Sequence, residues 1–166
     1  MLEAGPVWMA GILVTGAGAT AATDLWAIAR ARLLGVPPLD YAMVGRWVGH
    51  MARGRFRHAS IAAAAPVRGE RATGWAVHYL TGIAFAGLLP LVWGPGWFLE
   101  PTPGPAMIVG LGSVLAPFLI LQPALGAGLA ARRTPDPARA RLHSLLTHGV
   151  FGLGLYASGQ VFSHAI

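Results

Sequence analysis

Four stretches of this chain, residues 7–29, 74–93, 106–131 and 142–162, each run for about twenty residues or more with almost nothing charged in them. A helix rises about 1.5 Å per residue, so each is long enough to cross the roughly 30 Å hydrocarbon core of a bilayer. Composition agrees. Of 166 residues, 55% are hydrophobic and 11% charged, where an average soluble domain carries about a quarter charged. That is too little polar surface to face water, and a mean hydropathy of +0.58 makes lipid the expected solvent. The predicted fold is therefore all-α: an integral membrane four-helix bundle, one domain over residues 1–166, without repeats or low-complexity tracts. Glu3 stands where a signal peptide would carry a basic residue, so the first stretch reads as a retained span.

All twelve basic residues are arginines, and they sit in two places. Arg30, Arg32, Arg46, Arg53, Arg55, Arg57, Arg68 and Arg71 lie between the first and second stretches; Arg132, Arg133, Arg139 and Arg141 lie between the third and fourth. Basic loops stay in the cytoplasm, so both Arg-rich loops are predicted cytoplasmic and both termini periplasmic. The same placement accounts for a net charge of +6 without nucleic acid, which is not an expected partner. Absence of cysteine removes disulfides, thiolate nucleophiles and Cys-ligated metal clusters.

The loop at 94–105 is dense in Gly and Pro and reads as a short turn with interfacial aromatics. Residues 132–137 are equally compact, with Thr134 or Asp136 to cap the fourth helix. The loop at 30–73 is too long to be a plain connection. Pro37-Pro38-Leu39-Asp40 reads as a helix start, and Val44, Trp47, Val48 and Met51 follow at i, i+3, i+4 and i+7. This predicts an additional interfacial amphipathic helix on the inner leaflet, with Arg46, Arg53, Arg55 and Arg57 at lipid phosphates. The plainer alternative is a solvated basic loop covering the bundle.

Small residues recur at helical spacing: Gly16, Thr20, Asp24 and Ala27; Gly74, His78, Gly82 and Phe85; Ser144, His148, Gly152 and Gly159. Such stripes mark the faces on which membrane helices pack. From the helical rise, Asp24 and His78 lie about 9 Å from the middles of their spans, Gln122 about 6 Å and His148 about 7 Å. All four are displaced toward the cytoplasm, which predicts one polar layer, lined also by Thr20, Thr81 and Thr147. Pro123 removes a backbone donor beside Gln122 and offers a freed carbonyl to the same region. A carboxylate in a span needs a partner, and His78, His148 or Arg30 could supply it. The competing explanation is that these groups hydrogen-bond across helices and only specify packing.

The layer's two imidazoles, carboxylate and amide suit a divalent ion such as zinc or iron, with His50, His58 and Glu70 in reserve from the loop. The spacing does not single out a metal site. There is no H-E-x-x-H, and His143 and His148 point about 140° apart on a regular helix. His78 and His148 are the pair that could hold a haem. The cofactor therefore stays open. No nucleophile elbow, phosphate loop or dinucleotide fingerprint is present, and the balance leans away from an enzyme.

The segments Gly45-Arg46-Trp47-Val48-Gly49-His50, Arg53-Gly54-Arg55-Phe56-Arg57-His58, Gly74-Trp75-Ala76-Val77-His78-Tyr79, Leu121-Gln122-Pro123-Ala124-Leu125-Gly126-Ala127-Gly128 and Leu145-Leu146-Thr147-His148-Gly149-Val150-Phe151-Gly152 carry a resemblance. Together they resemble a bacterial family of small membrane proteins known as domain of unknown function 2938. The likeness runs from the first span to the fourth and implies a bacterial inner-membrane location. It implies no activity, substrate or cofactor for any residue.

Three functions compete on the sequence. The first is a non-enzymatic membrane protein whose polar layer binds a small ligand, ion or proton for transport or sensing. The second is an intramembrane enzyme acting on a lipid or quinone, with Asp24 and His78 or His148 as acid and base. The third is a structural subunit of a membrane complex. Expected partners are membrane lipids and a second copy or another membrane protein, since four helices are few for a complete transporter.

Overall fold

The computed structural model describes the backbone of residues 4–166 and the side chains of residues 7–166. Among the described residues there is no strand. The helices are α1 (Ala4–Leu34), α2 (Tyr41–Met51), α3 (Glu70–Ala86), α4 (Leu88–Trp93), α5 (Pro103–Gly112), α6 (Gln122–Leu125) and α7 (Pro137–Ala165). Three stretches are long and apolar enough to cross a membrane: Val7–Leu34, Glu70–Trp93 and Pro103–Leu125. Less than a third of each is buried, and residues such as Leu25, Leu91 and Ile108 stand with most of their surface uncovered. In water that much exposed hydrocarbon would be a liability; in lipid it is the ordinary outer face of a span.

The third stretch stops short of residue 131. Gly126 takes a left-handed conformation at φ 105°, Gly128 another at φ 77°, and the helix closes on the Gly126 and Ala127 amides. Two glycines within three residues let the chain turn where a side chain would be strained. Upstream, Pro117 has no amide hydrogen, and Pro117–Leu121 forms a π-helical turn in which the Gln122 N–H reaches the Pro117 carbonyl. The fourth stretch lies within α7, a 29-residue helix that carries His148, Ser158 and Gln160 among its apolar positions.

The described chain forms two compact units. The first takes in Met1–Pro37, Tyr79–Ser113 and Leu146–Ile166. Its core holds Ala19, Leu89, Trp97, Phe98, Phe151, Leu155 and Phe162. Gly16 and Gly82 bring α1 and α3 together, and Gly110 and Gly152 do the same for α5 and α7; a Cβ at any of the four would collide with the facing helix. With no hydrophobic drive between helices in lipid, this backbone proximity supplies the dispersion contact that holds them.

The second unit takes in Pro38–His78 and Val114–Leu145. Asp40 caps α2 as its position suggests, accepting the Ala42 N–H at 3.0 Å. Gly45 and Gly74 let α2 meet the start of α3, since a Cβ on either would strike a carbonyl of the other helix. The loop 52–69 then runs beside α6: His58 N–H donates to the Ala124 carbonyl at 2.9 Å and Ile61 N–H to that of Leu125 at 3.1 Å. Val44 of the apolar face and Gly45 and His50 are buried, while Arg46 is half-buried and Arg53 exposed, because the loop supplies acceptors for Arg46 and His50.

Candidate functional site

The four residues of the expected polar layer are each held by a neighbour outside that set. In the first unit, the Tyr79 hydroxyl donates to Asp24 Oδ2 at 3.0 Å, and Ser113 Oγ lies 2.6 Å from His148 Nδ1. In the second, the Tyr41 hydroxyl lies 3.0 Å from His78 Nε2, with the two rings stacked at 4.2 Å. Gln122 Nε2 donates weakly to Ser144 Oγ at 3.4 Å. Asp24 and His148 thus belong to one unit, His78 and Gln122 to the other.

The Ser113 hydroxyl joins His148 Nδ1 to the backbone of the preceding turn, lying 2.6 Å from that nitrogen and 2.6 Å from the Gly110 carbonyl oxygen. Asp24 receives a phenolic proton, so its carboxylate lies next to a donor as an intramembrane acid requires. Among the described residues no three His, Asp or Glu side chains cluster closely enough to hold a metal ion.

The loop residues form a second constellation. Arg46 Nε donates to Glu70 Oε2 at 2.9 Å and Nη2 to Oε1 at 2.7 Å, a two-pronged ion pair. Nη1 donates to the carbonyls of Ile61 and Ala64, both at 3.2 Å. Val67 N–H donates to Glu70 at 2.8 Å. One guanidinium thus closes the loop around itself. Arg53, Arg55 and Arg57 remain exposed, with Phe56 between them tied through its carbonyl to the Trp47 indole N–H at 2.9 Å.

His50 and His58 are brought together, Nδ1 to Nε2 at 2.8 Å, and both are buried. His50 Nε2 lies 3.0 Å from the Ala65 carbonyl, which only accepts, so Nε2 carries the hydrogen and Nδ1 is the acceptor. His58 Nε2–H is then the donor, and its Nδ1 is a buried lone pair with no hydrogen-bond partner among the described residues. Burial, then the nearby Arg55 and His50, lower the His58 pKa from its ordinary value.

Sequence reasoning missed Tyr41, Tyr79, Ser113 and Ser144 as partners. A hydroxyl in an apolar run, as at Ser113 between Gly112 and Val114, was the available signal.

No match to the chain was found among curated proteins or among solved structures. A family model described as a protein of unknown function (DUF2938) matches residues 13–162. With that match covering nearly all of its length, the chain belongs to the DUF2938 family.

Proposed function

We propose that the protein is a multi-pass protein of a bacterial inner membrane that takes up and releases protons at Asp24, His78 and His148, with the Gln122 amide as a polar, non-titrating member of the set, in transport. In this reading α7 is the fourth crossing, both termini are periplasmic, and Arg53, Arg55 and Arg57 meet anionic headgroups on the cytoplasmic side. The observation that carries it is the hydroxyl beside each ionisable group: Tyr79 on Asp24, Tyr41 on His78 and Ser113 on His148. Hydroxyl-linked acids and bases on apolar helices are the components of a proton relay.

The test is proton flux. Proteoliposomes enclosing a pH-sensitive dye should lose an imposed pH gradient several-fold faster than empty vesicles, and His148→Ala with Asp24→Asn should bring the rate back to the empty level. Wild-type flux equal to that of empty vesicles would reject the reading. The same bonds favour one other role, a structural subunit whose polar pairs hold helices in register. In that case the double variant would lose helix packing without any change in flux.

A further inference from the structure

The turn between α4 and α5 holds a cleft of about 480 Å³ lined by Trp93, Trp97, Leu99, Glu100, Thr102 and Pro105. Nothing in the proton reading uses it. Its walls are fixed from several directions. Gly94, at φ 82°, starts a 3₁₀ turn over Pro95–Phe98, and the amides of Leu99 and Glu100 both close on the Gly96 carbonyl. The Trp97 ring lies against Gly159, where a Cβ would collide with it, and Gln160 Nε2 donates to the Pro101 carbonyl at 3.0 Å. Glu100 therefore stands between two anchored points, exposed, and also lines a second cleft of about 380 Å³ with Gln160, Ser163 and His164.

Charge decides what such a cleft can take. Residues 94–105 contain no Arg or Lys, and the one ion pair among the described residues is Arg46–Glu70, so Glu100 forms no ion pair among the described residues. A carboxylate beside an indole ring with open surface, as Trp93 has, suits an organic cation: the negative ring face attracts the ammonium, the carboxylate sets its position, and the apolar rim takes its methyl or methylene groups. The volume is ample for such a group.

We propose that this cleft binds an organic ammonium group, with Trp93 as its aromatic wall and Glu100 as its counter-charge. The ammonium comes from a phospholipid headgroup or from a free amine. The headgroup source rests on the membrane reading, since Trp93 and Pro103 are the ends of two stretches long enough to cross a bilayer; binding of the group itself does not.

Calorimetric titration of the full chain in maltoside, with choline chloride, a dihexanoyl phosphatidylcholine below its micellar concentration, and sodium chloride as the ionic control, tests this. Saturable choline binding, absent with sodium chloride and weakened about tenfold by Glu100→Gln and by Trp93→Ala, is the expected result. Tighter binding of the short lipid assigns the source to a headgroup; equal or weaker binding assigns it to a free amine. Glu100→Gln is isosteric and exposed, so it keeps the wild-type melting temperature, and Glu100→Asp retains part of the affinity. No saturable heat with either amine, or unchanged affinity in Glu100→Gln, overturns the proposal, whatever the proton-flux assay shows.

Discussion

Arg46 and His50 sit where helical periodicity points them away from the apolar face of α2, and in isolation both would face water or headgroups. Each instead finds acceptors in its own loop: Glu70 and the Ile61 and Ala64 carbonyls for Arg46, the Ala65 carbonyl for His50. Backbone carbonyls leave no trace in a pattern of side chains, so these contacts were not legible. The residue types themselves, His50, His58 and Glu70, are visible in the sequence as polar groups of the loop. The hydrogen-bonded direction of the histidine pair also sets a pH dependence. His58 in the folded chain has a pKa lowered from 6.5, so the unfolded loop binds more protons than the folded one as pH falls below that value. Its contribution to stability is fully present above about pH 6.5 and declines below it until the folded-state pKa is reached. Limited proteolysis of residues 52–69 should therefore quicken between pH 7.5 and pH 5.5. His58→Gln, which keeps a donor for His50 without titrating, should flatten that difference.

Among the elements, the small-residue stripes were the most informative feature of the sequence, because a residue without a side chain declares where a neighbour must come close. Gly152 meets α5, with the Met107 sulfur and the Ala106 carbonyl at 2.9 and 3.1 Å from where its Cβ would be, whereas Gly149, one turn earlier, would meet only the tip of Leu111 at 3.8 Å. Gly152→Ala is accordingly expected to cost about 1–3 kcal/mol through overpacking. Gly149→Ala should be neutral or gain up to about 1 kcal/mol from helix propensity. Thermal unfolding of the two variants in the same detergent separates them. The interruptions were harder to read. Pro123 drew attention as the weak point beside Gln122, but the π turn forms upstream at Pro117–Leu121 and the helix ends downstream at Gly126, since the outcome depends on which carbonyls the neighbouring amides can still reach.

For the molecule as a whole, the distribution of arginine makes a sharp claim. Reporters inserted near residues 60 and 135 should be active only in a cytoplasmic assay, and one near residue 100 only in a periplasmic assay. A periplasmic signal from residue 135 would remove α7 from the set of crossings. Length, apolar content and one-sided charge are sums over many residues, and no rearrangement of contacts changes them, which is why the all-helical, membrane-compatible character of the chain and its family were readable in one dimension. Pairing is different in kind. Tyr79 meets Asp24 across 55 residues and Ser113 meets His148 across 35. Such a pair forms only when two helices are rotated and set at a particular depth, by backbone contacts far from the pair itself. Which polar group answers which was therefore settled by the tertiary structure, through the geometry of helix packing.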